Sequence, residues 1–118
     1  RITGRIKDII IRGGENIAAR DVEDMISSHP AVEYVAAVGM PDADLGEKVC
    51  VYVVPSSARV LSHGELIAYL QEQGAAKALL PARTEIVEHI PLTAAGKADK
   101  KALRADIEAK LAAERRAT

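Results

Sequence analysis

The sequence has few aromatic residues and almost no cysteine. Its 118 residues include no Trp, no Phe, three Tyr and one Cys. Proteins that bind single-stranded nucleic acids stack the bases on aromatic side chains. This composition therefore excludes such a stacking surface. A single cysteine excludes an internal disulfide and a multi-cysteine zinc site. The low cysteine content, together with the lack of a signal-peptide pattern at the start, predicts a cytoplasmic protein.

An excess of charge of either sign is also missing. Sixteen basic and seventeen acidic residues give a formal net charge of −1, and the three histidines show no metal-ligand spacing. This balance produces no field that would attract nucleic acid or an anionic membrane. No apolar run approaches the roughly 20 residues of a spanning helix. We therefore expect no nucleic-acid partner, no membrane span and no metal site.

The residues that are present predict one compact α+β domain. Hydrophobic residues make up 48% of the chain, which suffices for a core at this length. The predicted fold is an N-terminal β-hairpin followed by a small, mostly antiparallel three-stranded sheet with helices packed on it. In order, the predicted segments are a hairpin around Gly13-Gly14, a helix over 20–28, strands over 31–40 and 48–55, a capped helix from Ser62 to about Gly74, a strand over 84–90 and a helix over 99–111.

Lys97 is the first candidate for chemistry. It lies in the segment PLTAAGK, which is rich in turn-forming residues and connects a predicted strand to a predicted helix. A lysine on such a loop is a mobile positive charge suited to phosphate or carboxylate oxygens. The alternative interpretation is an ordinary solvated lysine, and the spacing alone does not decide between them.

The segment Gly13-Gly14-Glu15-Asn16 is the second candidate. Glycines at a hairpin tip allow a ligand to approach the backbone closely, although a plain diglycine turn has the same sequence. Arg5, Lys7 and Asp8 form a third, charged cluster, suited to contact an anion or to act as an exposed joint. A solvated charge run is the structural alternative.

Three separated motifs together resemble one known family. They are GRIKDIIIRGGENI, HPAVEYVAAVGMPDADLGEKVCVYVVP and IPLTAAGKADKKALR. In this order they are similar to the C-terminal domain of the adenylate-forming enzymes, which include acyl-CoA synthetases, aryl-acid ligases and adenylation domains. The similarity extends from Gly4 to about Arg104, nearly the whole chain.

The resemblance implies an enzyme that activates a fatty or aryl carboxylic acid as acyl-AMP with ATP and Mg²⁺. The acyl group then passes to the thiol of CoA, or of a carrier-protein pantetheine as the alternative. A large N-terminal domain, absent from this sequence, would carry the phosphate loop and the acid pocket. The chain alone is therefore expected to be inactive and to bind no cofactor tightly. A stand-alone α+β ligand-binding module is the alternative from another class.

The resemblance also assigns roles to the candidate residues. Lys97 corresponds to the lysine that assists adenylation. Lys7 corresponds to the hinge position of the family, and Arg5 corresponds to the arginine that approaches the nucleotide. Gly14, with the neighbouring Gly13, Glu15 and Asn16, corresponds to the hairpin that lines the pantetheine tunnel. The implied division is a hinge segment over 1–8, a mobile domain over 9–111 and a frayed tail over 112–118.

The sequence departs from the common family pattern in two segments. Where many members have Tyr-Lys-x-Pro, this chain has Ala78-Leu79-Leu80-Pro81, so a frequent lysine is absent. Where many have Pro after the hairpin, this chain has Ala19, as some aryl-acid ligases do.

Overall fold

A computed structural model describes residues 9–56 and 61–117 and contains one five-stranded sheet with helices on both faces. The strands are β1 (Ile9–Arg12), β2 (Glu15–Ala18), β3 (Val32–Asp42), β4 (Gly46–Pro55) and β5 (Arg83–Ile86). The helices are α1 (Ala19–Ser27), α2 (His63–Glu72) and α3 (Lys100–Ala117), with one short 3₁₀ turn at Lys77–Leu79. The predicted α+β class and the mostly antiparallel sheet are confirmed.

The hairpin is part of the sheet. Strands β2, β1, β4 and β3 are neighbours in that order, and β5 pairs with β4 in parallel. Within the part of the chain that the structure describes, the hairpin joins β4 through one antiparallel pair, Arg12 with Gly46. The sequence predicts a hairpin followed by a separate three-stranded sheet. In the structure the hairpin and the other three strands form one continuous sheet, with β3 at its outer edge.

Two hydrophobic clusters lie on opposite faces of the sheet. Alternate residues of β3 and β4 point to opposite faces, so Ala37 and Val51 belong to the first cluster while Ala36 and Tyr52 belong to the second. The first cluster includes buried residues of the hairpin, α1 and α2, and the second includes those of α3. Because helices cover both faces, the middle of both strands is continuously buried.

The helix boundaries follow local signals. Ser62 and Glu65 form the predicted capping box, in which the Ser62 hydroxyl accepts from the Glu65 N–H at 3.1 Å and the Glu65 carboxylate accepts from the Ser62 N–H at 3.0 Å. Gly74 follows the end of α2 with φ of +79°, a backbone conformation that favours glycine.

Two boundaries differ from the sequence predictions. Strand β5 ends at Ile86, although residues 84–90 were expected to be extended throughout. Its partner β4 ends at Pro55, which has no N–H with which to continue the ladder. Helix α3 continues to Ala117, through residues 112–117 that the sequence assigns to a frayed tail. None of the helices over 9–56 and 61–117 is long and apolar enough to cross a membrane.

Candidate functional site

The loop that carries Lys97 is closed by its own backbone. The Thr93 N–H donates to the Lys97 carbonyl at 2.7 Å, and the Gly96 N–H donates to the Thr93 carbonyl at 2.9 Å. Gly96 adopts φ of +84°, so the turn favours glycine at this position. Asp99 ends the loop, because its N–H donates to the Pro91 carbonyl at 2.8 Å. The tight turn thus fixes the backbone at Lys97 against Thr93.

The Lys97 side chain is exposed at the end of this turn. Every residue over 91–97 is exposed. Within the described residues, the ammonium of Lys97 forms no hydrogen bond and no ion pair. A positive charge on a well-defined backbone, without a partner of its own, is free to bind an anion.

Helix α3 starts immediately after the loop. The Asp99 carboxylate accepts from the Ala102 N–H at 3.1 Å, which caps the first turn of the helix. Ile90 before the loop and Leu103 in α3 are both buried in the second cluster, and Ala98 packs against it. The loop therefore stands on the α3 face of the sheet.

The hairpin presents glycine backbone at its tip. Gly13 and Gly14 have φ of +58° and +88°, which only glycine adopts without strain. The Gly13 N–H donates to the Leu45 carbonyl at 2.8 Å, which fixes the tip against the turn between β3 and β4. A Cβ added at Gly13 would contact the Leu45 side chain at 3.0 Å, whereas one added at Gly14 would meet no atom within 4 Å. Gly14 therefore has open space on its side-chain position.

Glu15 and Asn16 are exposed beside the glycines. Glu15 forms an ion pair with Arg12 at 3.5 Å across the turn. The hairpin contributes Ile10 and Ile17 to the first cluster. The structure thus places the Lys97 loop and the hairpin against clusters on opposite faces. Arg5 and Lys7 lie outside the described residues.

A charged network that the sequence analysis did not predict holds α3 on the sheet. Lys110 contacts Glu85 at 2.8 Å and Asp106 at 3.0 Å, and Asp106 accepts from the Tyr52 hydroxyl at 2.6 Å. Arg83 links Glu85 at 2.6 Å to Glu114. The i, i+4 spacing of Asp106 and Lys110 was visible in the sequence, whereas their contacts with β4 and β5 depend on the fold.

The network perturbs the titration of its members. The hydrogen bonds from Tyr52 and Lys110 lower the pKa of Asp106. Burial raises the pKa of Glu85, but the hydrogen bonds from Lys110 and Arg83 outweigh it, and the net pKa is lowered. Both carboxylates are therefore held in the charged form.

A second unpredicted group lies at the edge of the sheet. Glu23 of α1 and Lys100 of α3 form an ion pair at 2.9 Å beside Ala37 of β3. The Ala37 N–H donates to Glu23 at 2.8 Å, and its carbonyl accepts from Lys100 at 2.9 Å. Nearby, Glu47 and Arg104 are the charged residues of a small cleft of about 180 Å³. No group of three or more potential metal-ligating side chains occurs within the described parts of the chain.

Comparison with known proteins shows the family. The family model for the AMP-binding enzyme C-terminal domain matches residues 21–97. The chain is 47% identical over 112 residues to 2,3-dihydroxybenzoate-AMP ligase of Bacillus subtilis, covering 95% of this chain and 21% of that protein. It is 43% identical over 112 residues to medium-chain fatty-acid–CoA ligase of Escherichia coli, covering 94% of this chain and 20% of that protein.

A solved structure agrees with these relatives. The apo structure of MbtA from Mycobacterium smegmatis superposes with a TM-score of 0.78 at 43% identity, over 83% of this chain and 18% of that one. The chain thus spans about a fifth of the length of the relatives that it matches. It belongs to the C-terminal domain family of the AMP-binding, adenylate-forming enzymes.

Proposed function

We propose that this chain is the mobile C-terminal domain of an ATP-dependent acid–thiol ligase. In the first half-reaction a carboxylate oxygen attacks the α-phosphorus of ATP, and the bond to the β-phosphate breaks to release pyrophosphate. In the second, a thiol sulfur attacks the acyl carbonyl, AMP leaves, and the thiol proton passes to solvent. The acceptor is CoA, with a carrier-protein pantetheine as the alternative. The family membership of residues 21–97 supports this proposal.

Lys97 is proposed to act in the first half-reaction. Both reacting groups are anionic, and negative charge shifts toward pyrophosphate as the bond to the β-phosphate breaks. An ammonium beside the carboxylate and the α-phosphate offsets that charge. The observation that supports this role is the exposed Lys97 side chain, without a partner among the described residues, on a loop whose backbone is closed by Thr93 and Gly96. Mg²⁺ would stabilise the phosphate charges, and we assign it to no residue of this chain.

The hairpin is proposed to act in the second half-reaction. The open space at Gly14 and the exposed Glu15 and Asn16 suit a surface that borders the pantetheine arm, with Gly13 fixing the tip. Lys7 as the hinge and Arg5 near the nucleotide are proposed from the sequence resemblance. Because the hairpin contributes to the cluster on one face of the sheet and the residues flanking the Lys97 loop to the cluster on the other, one rigid domain would present them in different orientations.

The chain is proposed to work only with its own N-terminal domain. A small-molecule site usually encloses most of its ligand, and neither the loop nor the hairpin forms such an enclosure here. We therefore expect the isolated chain to be inactive and to bind ATP and CoA weakly. An enzyme that consumes ATP and CoA is expected in the cytoplasm, where the buried Cys50 stays reduced.

Pyrophosphate exchange by the full-length enzyme tests the proposal. Lys97→Ala is expected to slow acyl-adenylate formation by roughly 10²- to 10³-fold, the scale for losing one preorganised electrostatic contact. Thioester formation from supplied acyl-adenylate is expected to change little. Lys101→Ala, which removes another exposed lysine four residues along, is the matched control. Normal exchange in the Lys97 variant would remove Lys97 from the reaction. Parallel assays with CoA and with a pantetheinylated carrier protein identify the acceptor.

A further inference from the structure

The position of the Lys97 loop depends on its two ends. All residues over 91–97 are exposed, so no side chain of the loop itself is buried against the sheet. The end before the loop is fixed by Ile90, which is 7% exposed. The end after the loop is the first turn of α3, which begins at Lys100. Ala98 packs against the second cluster and Leu103, at the end of this turn, is buried in it. A further contact of the turn with the sheet, at Lys100, therefore contributes to where Lys97 is presented.

Lys100 connects this first turn to the edge of the sheet. Its ammonium lies 2.9 Å from the Glu23 carboxylate and 2.9 Å from the Ala37 carbonyl. The same Glu23 oxygen, Oε2, accepts the Ala37 N–H at 2.8 Å. The ammonium, the carboxylate and the peptide groups of Ala37 thus satisfy one another, and helices from both faces of the sheet meet at β3.

The burial of this pair separates it from an ordinary surface ion pair. The side chains of Lys100 and Glu23 are only 16% and 23% exposed. Exposed pairs contribute little because water screens them, whereas removal of one member of a largely buried pair leaves the charge of the other member uncompensated. Without Lys100, Glu23 keeps the hydrogen bond from the Ala37 N–H but loses its counter-charge, and the Ala37 carbonyl loses the Lys100 donor. Loss of Lys100 should therefore release the first turn of α3 from β3.

The remainder of α3 is held independently. Leu103 and Ile107 are buried in the second cluster, and Lys110 binds Glu85 and Asp106 farther along the helix. A change at Lys100 is consequently expected to loosen the start of the helix, before Leu103, while the part from Leu103 onward stays docked. Lys97 precedes Lys100 by three positions, so it lies within the segment that would move.

We propose that Lys100, held by Glu23, is a positioning residue for Lys97 in the adenylation step. This inference rests on the proposed function of Lys97. Lys100 acts through the backbone of the loop and contacts no substrate. Small displacements of a catalytic group lower rates strongly, because the reacting atoms must be aligned.

A double-mutant cycle in the full-length enzyme tests this role. Lys100→Met is expected to reduce pyrophosphate exchange by about 10-fold through kcat, since misplacement of a catalytic group costs rate. In a Lys97→Ala enzyme the same substitution should cause little further loss, because the group that it positions is already absent. Thioester formation from supplied acyl-adenylate should stay normal. Lys100→Arg, which keeps the charge and the donors, should retain near wild-type exchange.

Lys110→Met is the matched control. It removes a lysine that also bridges α3 to the sheet, at 2.8 Å from Glu85, but near the other end of the helix. It should leave pyrophosphate exchange unchanged although it weakens the docking of α3. Thermal unfolding of each variant shows whether the enzyme remains folded at the assay temperature.

The possible failures are distinguishable. If Lys97→Ala slows exchange but Lys100→Met does not, only the positioning role is overturned. Additive losses in the double variant would also overturn it, because they would give Lys100 an effect of its own. If Lys110→Met slows exchange as much as Lys100→Met, general loosening of α3 explains the loss, and the specific role of the Lys100 contact is overturned. Normal exchange in Lys97→Ala would overturn the proposed function and this inference together.

Discussion

The carboxylate of Glu47 occupies the place where a side chain at Gly39 would lie. A Cβ on Gly39 would come within 2.6 Å of both Cδ and Oε2 of Glu47. Glu47 uses its other oxygen to accept the backbone N–H of Ile11 at 2.8 Å. Because Arg12 with Gly46 is the only pair of β1 with β4 among the described residues, this side chain extends the link between the hairpin and the rest of the sheet.

Gly39→Ala is expected to destabilise the domain by about 1 kcal/mol, because the Glu47 carboxylate must move and the Ile11 N–H loses its acceptor. Gly64→Ala is the matched control. Gly64 lies in α2 with no atom within 4 Å of an added Cβ, so alanine should stabilise that helix by up to about 1 kcal/mol. Urea unfolding measures both. The explanation fails if Gly39→Ala costs as much in a Glu47→Ala background, where no carboxylate remains to be displaced.

Gly14→Leu is expected to separate the two half-reactions in the full-length enzyme. The side chain would enter the open space proposed to border the thiol arm, so acyl-adenylate should form while transfer to CoA falls. Positive φ at position 14 adds roughly 1 to 2 kcal/mol of strain for any other residue. Pyrophosphate exchange and thioester production are measured on the same preparation.

Gly74→Leu controls for that strain. Gly74 also has positive φ, at +79°, and open space around an added Cβ, but it ends α2. It should lose similar stability without changing the ratio of the two half-reactions. If Gly14→Leu slows both steps equally, Gly14 has a structural role in the turn and no role in transfer.

The docking of α3 is expected to weaken in acid. The folded-state pKa values of Asp106 and Glu85 are lowered, so their contribution is complete above the unfolded values of about 4 and is lost as pH falls through the folded values. Asp106→Asn keeps an acceptor for Tyr52 but does not titrate. The melting temperature of this variant, measured from pH 7 to pH 2, should fall less steeply than that of the wild type.

Glu108→Gln, at an exposed position of the same helix, is the control for the acid experiment. It should retain the wild-type pH profile. Because the Asp106 side chain is 47% exposed, the expected difference at neutral pH is small, about 1 kcal/mol or less. Parallel profiles for the wild type and Asp106→Asn would show that this carboxylate does not couple pH to stability.

Cys50 is expected to report the opening of the second cluster. It is fully buried, and burial raises the pKa of its thiol to about 12, so the native protein holds almost no accessible thiolate. Labelling by an aromatic disulfide reagent should be slow in buffer and fast in denaturant. As the chain contains one cysteine, the signal is unambiguous. Fast labelling under native conditions would contradict the packing of α3 over β4.

Local structure was predictable from the sequence where neighbouring residues determine it. The capping box of Ser62 and Glu65 and the glycine turn at Gly13-Gly14 are confirmed because each depends on a few adjacent residues. The early end of β5 was not predictable, because it depends on the pairing with another strand, β4, and this pairing stops at Val53 and Ile86. The Lys100 contact with Ala37 joins residues 63 positions apart, and no periodicity encodes such a pairing. Of the candidate site, the exposed Lys97 follows from turn-forming residues, whereas the contacts that position it follow from the fold.

The division of the core into two clusters makes the domain suitable for modular engineering. The sheet separates the first cluster, to which the hairpin contributes, from the second cluster, to which the residues flanking the Lys97 loop contribute. Replacing the hairpin and α1 with those of a relative should therefore require compensating changes in the first cluster alone. The opposite graft, of the loop with α3, should tolerate an unchanged hairpin. The ion pair of Glu23 and Lys100 crosses this division, so chimaeras should exchange its two members together.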